Sequence, residues 1–289
     1  MLGTCAKPAW SGGADTADRV GPWPEIAFAH ASVLVDEEGM SPFVADPTLV
    51  VFHNPGSLVR FRSLSEVGDR WEWLAVDPDL LAHLVPPRAR GAPPFHCTHA
   101  PLDPRAYMIL QLVVRHAAAG RPQHAWIEES LTQVLAACVE RGSGTRIPRL
   151  AGSSRRNWVN QAKALCAARL VPGLTVGEIA ARLGLSRYHL SRLFRGETGY
   201  GLYAYLVEVR VRAALEQLAD RTDDVLTIAF ELGFSSHSHL TAAFGARFGV
   251  TPSQFRAAHR FVVSGLPASK RARGVPSADS ASSAGRELR

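Results

Sequence analysis

The sequence predicts an α+β protein, with a sheet-rich N-terminal half that also carries helices, then an all-α half built from two helix-turn-helix units. Three observations predict it: an internal repeat near the C-terminus, a net positive charge confined to the segment that holds the repeat, and short β-branched and aromatic runs between turn signals before residue 77. Ile179-Ala180-Ala181-Arg182-Leu183-Gly184-Leu185-Ser186 is echoed 49 positions later by Ile228-Ala229-Phe230-Glu231-Leu232-Gly233-Phe234-Ser235. After one extra residue the offset becomes 50, pairing Leu190 with Leu240, Phe194 with Phe244 and Gly199 with Gly249. Each copy reads helix, Gly-centred turn, Ser-capped second helix, the order of a helix-turn-helix.

Lys and Arg number 32 against 26 Asp and Glu. Residues 154–260 hold 14 basic and 8 acidic residues, 14 − 8 = +6, and the rest hold 18 of each and sum to zero. That is the sign and placement of a surface that displaces counterions from phosphate, although a solvated face carries the same excess. Met1 to Val20 has no apolar run of the kind a signal peptide needs, and no stretch approaches the ~20 apolar residues of a membrane span, so a cytoplasmic location away from membranes is expected. Cys5, Cys97, Cys138 and Cys166 match neither a zinc finger nor a disulfide scaffold and are expected as reduced thiols, mostly buried.

In chain order, residues 1–145 are expected to form a sensor and dimerisation domain. Its strands are Val33-Leu34-Val35, residues 49–53, 58–62 and 71–76, separated by Asp-Glu-Glu-Gly, Asn-Pro-Gly and Val-Gly-Asp turns. Trp71 and Trp73 share one face of their strand, as core or as a ligand platform. His96-Cys97-Thr98-His99 is the one cluster of metal-capable side chains, but a trio on a proline-flanked loop also reads as ordinary loop histidines, and neither metal nor cofactor is expected. Two helices follow, Pro104 to Ala119 and His124 to Glu140. In the second, Ile127, Leu131, Val134, Leu135 and Cys138 make one apolar stripe, able to pack on the sheet or on its copy in another subunit. Residues 146–155 are expected as a linker, 156–262 as the two-unit domain and 263–289 as a disordered tail containing Lys270-Arg271-Ala272-Arg273.

In the first unit Thr175 and Glu178 form a capping box, Ile179, Ala180 and Leu183 face inward, Gly184 makes the turn and Ser186 caps the second helix. With Leu190, Leu193 and Phe194 buried, Tyr188, Ser191, Arg192 and Arg195 lie on the opposite face, which would enter a DNA groove. Arg192 suits a bidentate contact to guanine, Tyr188 and Ser191 offer hydroxyls, and Arg195 or Arg187 can reach phosphate. In the second unit Ser235 or Ser236 caps the helix and Leu240, Phe244 and Phe248 are buried. The outward positions Ser238, Thr241, Ala242 and Gly245 are almost blank, with His237 and Arg247 the only long polar groups nearby. That face can read methyls, backbone and shape, or it is structural. Between the units residues 202–219 read as one helix of roughly 27 Å, against the ~34 Å that separates adjacent major-groove segments on one face of DNA.

Residues from about 156 to 260 resemble the DNA-binding domain of AraC/XylS-type bacterial transcriptional regulators. The resemblance is carried by Leu190-Ser191-Arg192-Leu193-Phe194-Arg195, Glu197-Thr198-Gly199, residues 228–236, and Phe248-Gly249-Val250-Thr251-Pro252-Ser253-Gln254-Phe255-Arg256. It implies a seven-helix domain that reads double-stranded promoter DNA through successive major-groove segments, no enzyme activity, and RNA polymerase as a further partner. It places Tyr188, Ser191 and Arg192 where such proteins contact bases, and Ser238, Thr241 and Ala242 at the corresponding places in the second unit. Ala242 departs from the longer polar side chain of many relatives. The N-terminal half resembles the family in architecture alone: a cupin-like sensor for a small-molecule effector, followed by helices that form a homodimer. Two rivals stand beside this reading, a ligand-independent dimeric DNA-binding protein and a DNA-repair or enzyme fusion that borrows the module. The second would need a nucleophilic cysteine in a metal-like set, which the cysteine spacing does not supply.

Overall fold

The computed structural model describes residues 2–8, 16–64, 68–84, 93–118, 124–144, 153–168 and 174–263. The elements are β1 (Leu2–Pro8), β2 (Thr16–Arg19), β3 (Glu25–Ala29), β4 (Val33–Glu37), β5 (Phe43–Ala45), β6 (Leu49–His53), β7 (Leu58–Ser63), β8 (Gly68–Ala75), α1 (Pro78–Leu84), β9 (His99–Pro101), α2 (Pro104–Ala118), α3 (His124–Gly144), α4 (Ser153–Ala168), α5 (Val176–Arg182), α6 (Arg187–Thr198), α7 (Leu202–Asp220), α8 (Val225–Glu231), α9 (His237–Phe248) and α10 (Pro252–Val263).

The strands form two antiparallel sheets, β1-β8-β3-β6-β9 and β2-β7-β4-β5. Alternation along each strand sorts the side chains between two cores. Ala27, Ala29, Val51 and Trp71 of the larger sheet meet Val33, Val35, Phe43 and Val59 of the smaller one. Trp71 packs edge-on to Phe61 at 5.4 Å and Trp73 packs against the same cluster, so both indoles belong to the core between the sheets. Ile26, Phe28, Val50, Phe52 and Leu74, on the other face of the larger sheet, pack with α2 and α3.

The four expected strands are present as β4, β6, β7 and β8. Five other strands among the described residues were not foreseen. β5 is only three residues long and two of the five residues of β3 are alanine, so neither carries the β-branched run that marks the equally buried β6. β9 ends in a proline that an edge strand tolerates, and it carries His99, read beforehand as a loop residue. The His99 ring stacks on Phe43 with centroids 4.0 Å apart, and burial with the nearby Lys163 charge drives its pKa down to about 3. His99 is thus a neutral ring of the fold.

The apolar stripe of α3 packs inside its own chain. Val134, Leu135 and Cys138 are buried in the cluster shared with α2, and Leu131 lies against it. Ile127 and Leu131, at the other end of the stripe, are half-buried. α4 begins at Ser153, inside the expected linker, while residues 146–152 and the expected tail from residue 264 onward lie outside the described residues.

One cluster runs from the sheet face through α2 and α3 into the C-terminal half of α7, α8, α9 and α10. A separate cluster, built from α4, α5, α6 and the N-terminal half of α7, is the core of the first helix-turn-helix. The second unit shares its hydrophobic core with the N-terminal half, and the first has a core of its own.

Candidate nucleic-acid interface

α5 starts where the sequence predicts. Thr175 Oγ1 accepts from the Glu178 amide at 3.2 Å and a Glu178 carboxylate oxygen accepts from the Thr175 amide at 2.7 Å, the two reciprocal bonds of a capping box. Gly184 turns the chain at φ 66°, a conformation that side chains with a Cβ resist. Ser186 Oγ then accepts from the His189 amide at 3.2 Å and starts α6. The second unit repeats this with Asp224 capping α8, Gly233 at φ 76° and Ser236 rather than Ser235 capping α9. α5 and α8 are offset by 49 residues and α6 and α9 by 50, matching the internal repeat.

Leu190 and Phe194 are fully buried, which turns the opposite side of α6 to solvent. There Tyr188 is 78% exposed, Arg187, Arg192 and Arg195 are exposed, and Ser191 is half-buried. Arg182 of α5 is exposed as well, so this unit gathers four exposed guanidinium groups. On α9, Leu240, Phe244 and Phe248 are buried, and His237, Ser238 and Ala242 are exposed. Thr241 is half-buried, and its hydroxyl is buried with no hydrogen-bond partner among the described residues. Arg247 donates Nε to Glu208 Oε2 of α7 at 2.7 Å, so it is tethered rather than projecting freely.

The positive charge is thereby divided. Lys163, Arg210 and Arg212 belong to the segment that holds the net charge, yet all three are buried. For Arg210 and Arg212 the cause is α7 itself, which buries residues on nearly every side, from Leu202 and Tyr205 to Leu215 and Leu218. Arg210 donates to the Leu174 carbonyl ahead of α5 at 3.1 Å and to the Gly233 carbonyl in the turn of the second unit at 3.2 Å. One side chain thus braces both units against the helix between them. The available signal was a pair of arginines alternating with valines, Val209-Arg210-Val211-Arg212, inside an otherwise apolar helix.

α7 also contacts the N-terminal half. Tyr205 donates its hydroxyl to Asp46 Oδ2 at 2.8 Å, and Lys163 of α4 lies 3.1 Å from the same oxygen. Burial alone would raise the Asp46 pKa, but the Lys163 charge and the bonds from Thr48 and Tyr205 outweigh it and hold the carboxyl below its ordinary value. Farther along α7, Glu216 accepts from Tyr107 of α2 and lies 2.8 Å from His30 Nδ1. Burial would raise its pKa too, but the contacts with His30, Arg70 and Tyr107 bring it down to about 2. Arg115 of α2 reaches Asp220 at 3.0 Å.

Residues 179–258 match the helix-turn-helix domain family. The "Probable transcription factor PqrA" of Proteus vulgaris is 34% identical over 84 residues, covering 29% of this chain and 69% of that protein. The "Msm operon regulatory protein" of Streptococcus mutans is 31% identical over 126 residues, covering 44% of this chain and 45% of that protein. The "HTH-type transcriptional regulator Rv1931c" of Mycobacterium tuberculosis is 35% identical over 83 residues, covering 29% of this chain and 32% of that protein. The chain therefore spans less than half the length of the last two of these curated relatives.

Proposed function

The chain belongs to the AraC/XylS family of transcriptional regulators, and from that premise we propose that it binds promoter DNA sequence-specifically, with α6 and α9 in successive segments of major groove. The observation that carries this reading is the exposed face of α6, where Tyr188, Ser191 and Arg192 stand between two further arginines on a helix whose other side is fully packed. Arg192 takes a guanine edge, Tyr188 and Ser191 supply hydroxyl and apolar contacts, and Arg187 and Arg195 bind phosphate. On α9 the small side chains Ser238 and Ala242, with Thr241, let the helix lie close to the bases and respond to methyls and groove shape, with His237 and Arg247 at the backbone.

In this reading residues 1–145 are the sensor, 156–262 the DNA-binding domain, and the shared core is the route by which a small-molecule effector changes DNA engagement. The protein acts in the cytoplasm, where promoter and RNA polymerase are met, and catalyses no reaction. Among the described residues no helix is long and apolar enough to cross a membrane. A homodimer forms in this reading, and the half-buried Ile127 and Leu131 are the part of the α3 stripe left to join it. The test is selection of bound duplexes from a random pool by the full chain, followed by footprinting. Two protected half-sites about one helical turn apart support the reading, and enrichment of no sequence refutes it.

A further inference from the structure

A three-residue segment of the N-terminal half, Asp46-Pro47-Thr48 between β5 and β6, touches the supports of both reading helices. Its carboxylate end serves the first unit. Asp46 is fully buried, receives the Tyr205 hydroxyl at 2.8 Å and pairs with Lys163 at 3.1 Å, and both partners belong to the helices that enclose the core under α6. Thr48 shapes that carboxylate, donating to Oδ1 from its amide at 2.8 Å and from its hydroxyl at 2.5 Å.

The carbonyl end serves the second unit. Pro47 O accepts from Arg212 Nη1 at 2.5 Å, and Leu102 O accepts from Nη2 of the same guanidinium at 2.7 Å. Thr48 O in turn accepts from the Leu102 amide at 2.8 Å, which ties the two acceptors together. Arg212 is 1% exposed and lies over the Tyr107 ring at 4.8 Å. Its Nε donates to Glu208 Oε1 at 2.8 Å, and the other oxygen of Glu208 accepts from Arg247 of α9 at 2.7 Å. An unbroken chain of hydrogen bonds thus leads from the segment to the last turn of the second reading helix.

An arginine with both Nη groups on carbonyls and Nε on a carboxylate has little freedom to shift, and the same holds for a buried carboxylate with four donors. We propose that the Asp46–Thr48 segment clamps the two reading helices at one separation and orientation, and so determines which spacing of half-sites the chain accepts. A change in the sensor sheets that displaces this connection between them moves both attachments together, so an effector would alter spacing preference as well as affinity. The inference rests on the reading of α6 and α9 as the DNA-contacting helices.

The test uses the full chain and a duplex selected from a random pool, compared with the same duplex carrying one or two extra base pairs between the half-sites. The wild type is expected to discriminate against the lengthened sites. Asp46→Asn, Tyr205→Phe and Arg212→Lys are each expected to shrink that discrimination by about fivefold or more, the scale of an ordinary coupling between sites. Tyr205→Phe keeps its ring in the core 5.0 Å from Phe194 and loses only the bond to Asp46, which guards against a variant that simply fails to fold. General destabilisation raises both dissociation constants together and leaves their ratio alone. Unchanged ratios in all three variants, or a wild type indifferent to spacing, would overturn the inference and leave the DNA reading standing. Absence of a two-half-site footprint would overturn both.

Discussion

Replacing Arg192 by Ala separates recognition from folding. The Arg192 side chain is exposed and makes no ion pair among the described residues, while its neighbours Leu190 and Phe194 carry the packing of α6. Truncation should therefore change stability by no more than about 0.5 kcal/mol. At the preferred site it removes one bidentate contact to a base edge, which is worth about 1–3 kcal/mol, or roughly 5- to 150-fold in dissociation constant. The loss should concentrate at one base position, so the mutant discriminates less there while binding scrambled DNA almost as the wild type does. Fluorescence anisotropy on the selected duplex, its single-base variants and a scrambled control gives the three numbers needed, with a thermal melt to confirm folding. Equal losses on matched and scrambled DNA would show that Arg192 contacts phosphate, and the division of roles on α6 would be wrong.

Arg195→Ala should instead weaken all sequences alike and reduce the slope of log K against log salt by about 0.9, as expected for one phosphate contact, which a salt titration measures. Leu131→Glu should lower the melting temperature, because the half-buried Leu131 lies against the core cluster of its own chain; circular dichroism measures the melt and sedimentation reports whether self-association changes with it. The isolated segment 153–263 should bind DNA but melt at lower temperature than the full chain and bind a hydrophobic dye, because α7, α9 and α10 lose the α2 surface they pack on. His99 keeps its proton off in the fold down to pH about 3, whereas the unfolded chain protonates near 6.5. Its contribution to stability is thus present above 6.5 and lost as pH falls toward 3, and His99→Gln should flatten the melting temperature across that window.

Helix boundaries in the two units were legible because their causes are local. A Thr175-Glu178 box, a glycine at the turn and a serine ahead of each second helix act over three or four residues, and the alternation of buried Leu190 and Phe194 with exposed Arg192 and Arg195 is a property of one helix. The repeat offsets of 49 and 50 survive in the structure because both copies solve the same packing problem. Strand signals were legible where β-branched and aromatic residues run together, in β6 even though all of it is buried, and silent in the three-residue β5 and in β3, where two of the five residues are alanine. The fates of the charged side chains lay beyond such reading. Arg192 and Arg212 are the same residue type twenty positions apart on the same chain, one in solvent and the other buried against Pro47 and Leu102, carbonyls that the sequence places 165 and 110 residues away. Asp46 finds Tyr205 across 159 residues, and Glu216 finds Tyr107 across 109. A buried charge survives only where partners satisfy it, and partners at that separation are brought together by the packing of sheet, α2 and α7, which no local pattern encodes. The sequence alone determined that there are two helix-turn-helix units; the tertiary structure decided that the second shares its core with the N-terminal half, that Arg210 braces the two units, and that Arg212 ties α7 to Pro47 and Leu102.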